Sequence, residues 1–300
     1  MAHYILSGGS GFIGKHLSRL LLSEGHQVVV LSTREQQSHT EGLQYVRWDT
    51  QAGIIHGQFL ESDYHIINLA GAGVAEQRWT AARKEEIIQS RAKSLQTLYQ
   101  AIASGQIKSS HLVSASAIGF YSEIGILHTE EEQGDRSFLS TTCQLWEAEA
   151  HRFEALQVKV AIARIGIVLG KEGGAMAAFL KTVRFGVAGI PSDGRQIYSW
   201  IHVQDMARML YYLSVQKAEG TYNAVAPYPV SINTLFDSML QYHPGFVVKM
   251  HVPSFAIEMM LGEMAVEVLK SSEVSAGKIM EAGFEFKFPV IDACMKDLMK

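Results

Sequence analysis

The start of the chain shows two hydrophobic patterns in succession. A short apolar run, Tyr4-Ile5-Leu6, leads into a glycine-rich turn, and apolar residues at helical spacing follow the turn. The apolar residues that share one helical face are Ile13, Leu17, Leu20 and Leu21. Gly25 follows where a helix C-terminus is expected, and a second β-branched run covers 27–31. The pattern predicts a strand, a tight turn, a helix and a second strand.

Strand-length apolar runs and longer helical segments continue to alternate beyond residue 31. The predicted strands lie at 43–47, 63–71, 110–114 and 158–162, with a short hairpin-like piece at 54–55. The predicted helices between them cover 79–104 and 139–156. This alternation predicts an α/β fold, namely a Rossmann-type, doubly wound parallel sheet with helices on both faces.

The regular alternation of strands and helices ends at about Gly170. Glycines and a proline surround a predicted helix at 175–185, and a helix at 205–214 and a strand at 221–225 come next. The rest of the chain predicts a helix, a strand and two helices, at 232–241, 246–252, 256–270 and 274–282. We therefore expect a Rossmann domain at 1–169, completed by about 199–226. A smaller, mostly C-terminal α+β substrate lobe is expected at 170–198 and 227–300, with a ligand between the two.

Composition narrows the possible partners. The chain has 47% hydrophobic and 19% charged residues and a net charge of −4, which argues against nucleic acid as a principal partner. No apolar run approaches the roughly 18 residues that span a bilayer. The first strand begins at residue 3 or 4, so we expect no signal or transit peptide. The two cysteines, Cys143 and Cys294, form neither a disulfide framework nor a zinc-binding spacing. We expect a cytoplasmic monomer or homodimer with an unidentified small-molecule substrate, no membrane partner and no metal.

The turn after the first strand carries the candidate chemistry. Gly8, Gly11 and Gly14 are spaced G-x-x-G-x-x-G between a strand and a helix. Glycine permits positive φ and close approach of the backbone to a pyrophosphate, and the N–H groups at a helix start bind phosphate charge. The spacing therefore predicts a dinucleotide site. A plain glycine turn is the alternative.

The end of the second strand bears on which dinucleotide binds. NAD-specific sites place an acidic residue there for the ribose hydroxyls, whereas this chain has Thr33-Arg34 and no carboxylate before Glu35. A guanidinium suits a 2′-phosphate because it binds phosphate in a bidentate manner. We therefore expect NADP(H) as the cofactor. The alternative is that Arg34 is a solvated surface charge.

Longer motifs make the chain resemble a known family. They are GGSGFIG (8–14), NLAGAGV (68–74), QRWTAARKEEIIQSR (77–91), SASAIGFYS (114–122), WEAEA (146–150), RIGIVLG (164–170), SWIHVQD (199–205), YNAVAP (222–227) and GFEFKFP (283–289). The chain resembles the short-chain dehydrogenase/reductases in their extended form. More narrowly, it is similar to the atypical, NAD(P)-binding "epimerase family" proteins that carry a C-terminal domain of unknown function.

The resemblance implies a set of cofactor contacts. They are Gly8, Ser10, Gly11, Phe12, Ile13, Gly14, Thr33, Arg34, Leu69, Ala70, Glu86, Arg91 and Val168. For Glu86 and Arg91 the alternative is a surface salt bridge between them, and for Val168 it is a place in the core.

The resemblance also implies a catalytic Tyr-x-x-x-Lys pair that the chain lacks. None of the 11 tyrosines has lysine four residues on, and Cys143 and Glu147 stand in the expected helix. Candidate substitutes are Ser116, to polarise a substrate oxygen, and Tyr121, as a proton donor of ordinary pKa or substrate anchor. Glu147 and His202 are candidate bases. Their alternatives are a strand-end turn, aromatic packing, an interlobe contact and a helix cap, respectively.

Two functions therefore remain open. The first is an NADP(H)-dependent oxidoreductase or nucleotide-sugar epimerase with a non-standard catalytic set. The second is a non-catalytic NADP(H)-binding regulator or redox-sensing protein that acts on a partner. The absence of the Tyr/Lys pair favours the second, and the expected cleft between the lobes favours the first.

Overall fold

The computed structural model of the protein describes residues 1–121 and 126–300, so the last residue of the SASAIGFYS motif lies outside it. The strands are β1 (His3–Ser7), β2 (Gln27–Ser32), β3 (Leu43–Asp49), β4 (Ile54–His56), β5 (Tyr64–Asn68), β6 (His111–Ala117), β7 (Leu127–His128), β8 (Lys159–Ile165), β9 (Ile167–Gly170), β10 (Val187–Pro191), β11 (Ile197–Tyr198), β12 (Trp200–His202), β13 (Gly220–Ala224), β14 (Val230–Ser231), β15 (Val248–Val252) and β16 (Glu273–Val274).

The α-helices alternate with these strands. They are α1 (Phe12–Ser23), α2 (Ala81–Ala103), α3 (Phe138–His151), α4 (Gly174–Val183), α5 (Val203–Val215), α6 (Ile232–Gln241), α7 (Ser254–Leu261), α8 (Ala265–Leu269), α9 (Gly277–Glu281) and α10 (Ile291–Leu298).

The central sheet has eight strands in the order β13-β8-β6-β5-β1-β2-β3-β4. All neighbouring pairs in it run parallel except β3 and β4, which are antiparallel. Strand order reverses between β1 and β5, which is the switch point where doubly wound sheets bind ligands at the carboxyl ends of their strands. The predicted Rossmann-type parallel sheet is confirmed.

Helices cover both faces of this sheet. On one face α1 and α5 bury Leu17, Leu21 and Leu210 against β1 and β2. On the other face α2 and α3 bury Leu98 and Trp146. The central strands β1 and β2 carry an unbroken apolar run because residues of both orientations are buried, whereas β3 nearer the edge alternates between buried and exposed positions.

A third hydrophobic cluster joins elements outside the central sheet. It combines residues of α4, β10, α6 and α10 around Trp200 and Phe236, both of which are fully buried. Short parallel pairs, β10 with β15 and β9 with β12, lie among these elements. The proposed boundaries of the two lobes stay a prediction.

Two helices predicted in the C-terminal part are wrong in extent, and one helix there was missed. The helix expected at 256–270 is interrupted at Gly262, whose φ of +63° lies in the left-handed region. Only 277–281 of the helix expected at 274–282 is helical, because residues 273–274 pair with β7 as β16. The helix α10 was not predicted, although Ile291, Cys294, Met295 and Leu298 follow a helical repeat.

Candidate functional site

The glycine turn is fixed by the packing of its own backbone. Gly8 has φ +72°, and a Cβ there would lie 2.6 Å from the carbonyl oxygen of Leu69. A Cβ on Gly14 would lie 2.3 Å from the Gly8 oxygen. Gly11 is different, because its φ is −74° and its Cβ would meet only the Gly8 oxygen, at 3.2 Å. The protein's own packing therefore requires glycine at 8 and 14, whereas Gly11 leaves space in front of the turn.

The turn opens on the start of α1. Gly11 is the N-cap of this helix, and no side chain accepts a hydrogen bond from the helix's first N–H groups. An uncapped helix start presents several N–H donors and a positive dipole end, which is a suitable site for an anion. The turn and the helix start together fit the pyrophosphate of a dinucleotide.

A cavity of about 430 Å³ lies beside this turn at the carboxyl ends of β1, β2 and β5. Its lining residues are Gly8, Ser10, Leu31, Ser32, Thr33, Arg34, Gln36, Trp48, Ala70 and Gly71. Five of the predicted cofactor residues, namely Gly8, Ser10, Thr33, Arg34 and Ala70, thus meet around one cavity. Leu69 lies at its edge, since its carbonyl oxygen limits the space at Gly8.

The charge at the far end of this cavity is positive. Ser32 Oγ accepts a hydrogen bond from the Arg34 N–H at 3.1 Å and donates one to the Arg34 carbonyl at 2.7 Å, which fixes the backbone there. The Arg34 side chain is exposed, and in the described part of the chain no carboxylate pairs with it. Glu35 instead lies 3.5 Å from Arg47. The guanidinium is therefore available to a ligand.

Two other predicted contacts, Phe12 and Val168, serve packing in the structure. The Phe12 ring lies against the loop that follows β9, where Cβ atoms on Gly170 and Gly173 would come within 2.6 and 2.8 Å of it. Val168 lies in the core within β9. Ile13 is half-buried against the same core. The Phe12 ring thus holds the β9 loop against α1, directly behind the uncapped helix start.

Glu86 and Arg91 do not form the surface salt bridge that was considered for them. Glu86 is exposed and accepts a hydrogen bond from Arg83 at 2.8 Å. Arg91 is buried, packs over the Trp146 ring at 4.8 Å and donates to the Ala72 carbonyl at 3.1 Å. A Cβ on Gly71 would lie 3.1 Å from Arg91 Cζ, so this guanidinium supports the wall of the dinucleotide cavity.

Three of the four candidate catalytic residues lie in one buried network centred on Arg164. Ser116 Oγ donates to Glu147 Oε1 at 2.6 Å. Arg164 donates to both oxygens of Glu147, at 2.9 Å each, and to the Tyr121 hydroxyl at 3.1 Å. The network lies where β6 and β8 end, so the structure does bring Ser116, Tyr121 and Glu147 together.

The structure corrects the expectation that Tyr121 is a proton donor of ordinary pKa or a substrate anchor. Its side chain is 0% exposed and stacks on His128, with the ring centres 5.0 Å apart. Its hydroxyl donates to Asn223 Oδ1 at 2.5 Å while accepting from Arg164. Burial raises the pKa of Tyr121 to about 12, above the ordinary value expected from the sequence. A hydroxyl with these partners does not reach a substrate.

His202 is also corrected, because it lies apart from this network. It is the N-cap of α5, and its Nδ1 accepts from the Gln204 N–H at 3.0 Å. Its ring stacks on Phe288 at 3.9 Å, and Nε2 lies 3.4 Å from Asp297 Oδ2. Burial lowers the pKa of His202 to about 4. The capping role weighed against catalysis is the one the structure shows.

The described residues offer few other reactive groups. Cys143 is buried, and burial raises the pKa of its thiol to about 11, with a further increase from Glu147. In the two described ranges, no group of three or more His, Cys, Asp or Glu side chains is arranged to hold a metal ion. No helix within those ranges is long and apolar enough to cross a membrane.

Comparison with known proteins identifies the family. The model of the NAD dependent epimerase/dehydratase family matches residues 4–225, which include the glycine turn, the Arg34 cavity and the Arg164 network. The chain belongs to this family. A second family model, a domain of unknown function (DUF1731), matches 252–298 of this family member and confirms the resemblance stated above.

Individual relatives agree with this assignment. An epimerase family protein of Staphylococcus aureus (strain NCTC 8325) is 32% identical over 307 aligned residues, covering 100% of both chains. The crystal structure of human epimerase family protein SDR39U1 (isoform 2) with NADPH is 26% identical, with a TM-score of 0.89 and 99% of each chain covered. A nucleoside-diphosphate sugar epimerase from Corynebacterium glutamicum is 25% identical, with a TM-score of 0.77, over 99% of this chain and 58% of that one.

Sequence reasoning missed the residue that organises the candidate catalytic network. Arg164 was noted only as the first residue of the RIGIVLG motif, and Asn223 only as part of the strand predicted at 221–225. The available signal was a charge at the end of a strand that is otherwise apolar, Val160 to Ala163. A buried charge needs a partner, and Glu147 on the preceding helix is the acidic residue that meets it.

Proposed function

We propose that this family member binds NADP(H) rather than NAD(H). The observation that carries the proposal is the exposed Arg34 guanidinium, unpaired within the described chain, at the end of a cavity whose lining residues include no carboxylate. Thr33 lies beside it and adds a hydroxyl. A 2′-phosphate matches this charge, whereas an NAD-specific site needs an acidic partner for the ribose. The human relative solved with NADPH supports the same choice.

We further propose that the protein is an oxidoreductase or nucleotide-sugar epimerase with a non-standard catalytic set. NADP(H), when bound, supplies or accepts a hydride. Within this chain, we assign the orientation of a substrate oxygen to Ser116 at the end of β6, with Glu147 as the acceptor of the serine proton, although Ser116 is buried in the present arrangement. The Corynebacterium relative named as a sugar epimerase supports this reaction class.

One observation favours the alternative, a non-catalytic NADP(H)-binding regulator. Both oxygens of Glu147 are held by Arg164, and the Ser116 proton is already directed at Glu147. A carboxylate whose two oxygens both accept from a guanidinium has no oxygen free to meet a substrate. Catalysis would therefore require this network to rearrange when the substrate binds.

Cofactor choice is tested by titrating wild type and Arg34→Ala with NADPH and NADH. A hydrogen-bonded contact to a charged group contributes about 1.5–3 kcal/mol, so wild type should prefer NADPH by roughly ten- to hundred-fold. Arg34→Ala should lose most of that preference. Arg47→Ala is the matched control, since Arg47 is a nearby exposed arginine that pairs with Glu35 outside this cavity. Equal affinity of wild type for both cofactors would contradict the proposal.

The enzyme and the non-catalytic regulator are distinguished by an activity screen. NADPH absorbance is followed with panels of 2-oxo acids, aldehydes and nucleotide sugars, and a separate assay detects epimerised sugar. Turnover that Ser116→Ala abolishes, with NADPH affinity unchanged, supports the enzyme. Tight NADPH binding without turnover on any panel member supports the regulator.

A further inference from the structure

A separate cavity of about 520 Å³ lies along one face of α4. The residues that line it are Lys171, Ala177, Leu180, Lys181, Arg184 and Phe185. Within the described chain it shares no lining residue with the dinucleotide cavity. The α4 helix has 10 residues and is therefore about 15 Å long. Lys171 precedes this helix and Phe185 follows it, so the cavity extends along the length of the helix.

Three cations line this cavity without a partner in the described part of the chain. Lys171, Lys181 and Arg184 are exposed, and their side chains form no hydrogen bond or ion pair with the described residues. The described lining residues include no carboxylate. Glu172, which follows Lys171, instead lies 3.8 Å from Arg19. The cavity therefore has a positive potential that an anionic ligand would match.

The dipole of α4 accounts for two of these cations but not for the third. Lys181 lies in the last turn of the helix and Arg184 is its C-cap residue, where the negative end of the dipole stabilises positive side chains. Lys171 precedes Gly174, the first residue of α4, and is near the positive end of the dipole. The dipole gives a cation no stabilisation there. A ligand with several negative charges along its length would bind all three cations.

Phe185 provides an aromatic surface at one end of the cavity. Its side chain is 84% exposed. A second exposed ring, that of Phe246, belongs to the neighbouring segment, because the Val248 N–H donates to the carbonyl oxygen of Gly186 at 2.9 Å. Apolar side chains that are exposed together are typical of binding sites, and phenyl rings stack on nucleobases. The aromatic part of a ligand would cover Phe185.

We propose that this cavity binds a nucleoside polyphosphate, with the base against Phe185 and the phosphate chain extended along α4 to Lys171. Arg184 and Lys181 contact the phosphates nearer the base. The cavity volume lies within the 300–1,000 Å³ typical of small-molecule sites. The net charge of −4 argues against a nucleic acid chain as the source of these phosphates. The site is additional to the proposed NADP(H) site and takes no part in hydride transfer.

The test is calorimetric titration of the full chain, first saturated with NADPH so that the probes do not enter the dinucleotide cavity. The probes are ATP, methyl triphosphate, which carries the charge of ATP without the base, and adenosine, which carries the base without the charge. We expect ATP to bind saturably and each of the other two at least about five-fold more weakly, because each lacks one set of contacts. ATP affinity should also fall as the salt concentration rises, since the cations are exposed.

Variants locate the binding. Lys171→Met and Lys181→Met should each weaken ATP binding at least about five-fold, because a charge-assisted hydrogen bond is lost. Phe185→Ala should reduce the affinity for ATP to that for methyl triphosphate. Lys108→Met and Phe255→Ala are the matched controls, since both residues are exposed and lie outside the cavity, before β6 and on α7. Circular dichroism confirms that each variant is folded.

Three results would overturn the inference. They are no saturable ATP binding, equal affinity for ATP and methyl triphosphate, and ATP binding that Lys171→Met and Lys181→Met leave unchanged. Capture of the protein by phosphatidylserine vesicles, without saturable ATP binding, would overturn it in favour of a membrane surface. ATP binding that these variants weaken, in a protein that does not bind NADPH, would support the inference and contradict the proposed cofactor instead.

Discussion

Arg164 and Glu147 form a buried, bidentate ion pair, with Nε and Nη2 of the arginine each 2.9 Å from a carboxylate oxygen. The pair links the end of β8 to α3, where members of the wider superfamily place a catalytic Tyr/Lys pair. The Arg164 guanidinium also stacks on the Phe120 ring, with Cζ 3.4 Å from the ring centre. The position that would hold a catalytic lysine is thus occupied by an acid whose charge is already neutralised.

Removing one member of this pair should destabilise the protein strongly. Glu147→Gln leaves the Arg164 charge buried without its counterion, and such a loss costs about 3–5 kcal/mol. The double variant Glu147→Leu/Arg164→Met should be closer to wild type, because no buried charge is left unpaired. Urea denaturation of the three proteins measures the effect.

Glu149→Gln is the control for the same helix. Glu149 is 22% exposed, pairs with Arg152 at 2.7 Å and accepts from Gln96 at 3.0 Å, and solvent-accessible pairs contribute at most about 1 kcal/mol. If Glu147→Gln were no more destabilising than Glu149→Gln, the Arg164 network would not be the structural element inferred above.

The parts of the fold that the sequence predicted well are those encoded locally. The strand, turn and helix around Gly8–Gly14 depend on residues adjacent in the chain, so periodicity and glycine spacing were sufficient. The Arg164 network was not predictable in this way, because Ser116, Glu147 and Asn223 come from three separate elements and meet only once the sheet forms. Tyr121 illustrates the same limit, since its position after a central strand did not reveal that it is buried.

The glycine turn yields a prediction that separates folding from binding. Gly11→Val should fold, since the added Cβ meets only the Gly8 oxygen, at 3.2 Å, and a shift of a few tenths of an ångström relieves that contact; it should lose NADPH binding because the side chain enters the space for the pyrophosphate. Gly14→Val should instead destabilise or prevent folding, because its Cβ would lie 2.3 Å from the Gly8 oxygen. Circular dichroism melting and NADPH titration of both variants measure the two effects. Normal NADPH affinity in folded Gly11→Val would show that the turn does not hold the cofactor.

His202 should contribute to the loss of folding stability at acidic pH. Its pKa in the folded protein is about 4, below the ordinary 6.5, so the unfolded chain binds a proton that the folded protein rejects. The resulting stability is present above about pH 6.5 and is lost as the pH falls toward 4. His202→Asn retains a capping side chain but cannot titrate, so its melting temperature should fall less than that of wild type between pH 7 and pH 5.

The absolute stability of His202→Asn is expected to be lower, because the stacking on Phe288 is lost. The comparison therefore uses the change of melting temperature with pH and not the melting temperature at one pH. Four other histidines also have lowered pKa values in the folded protein, so part of the pH dependence of the melting temperature remains in both proteins. They are His16, His26, His65 and His111. His56→Asn, at an exposed position on β4, is the control. An unchanged slope in His202→Asn would mean that this histidine is not held neutral by burial.

Tyr121→Phe should separate a structural role from a catalytic one. The Tyr121 hydroxyl bonds Asn223 and Arg164 inside the network, so its removal leaves buried polar groups unpaired and should cost about 1–3 kcal/mol of stability. NADPH affinity should not change, and neither should the rate of any turnover found, because a fully buried phenol with a pKa of about 12 does not deliver a proton to a substrate.

Tyr228→Phe, at an exposed tyrosine, is the matched control. Urea denaturation and steady-state rates on the same preparations are the measurements. A rate loss of ten-fold or more with little loss of stability would restore Tyr121 as an acid catalyst, since a positioned acid contributes about 10²–10⁴-fold.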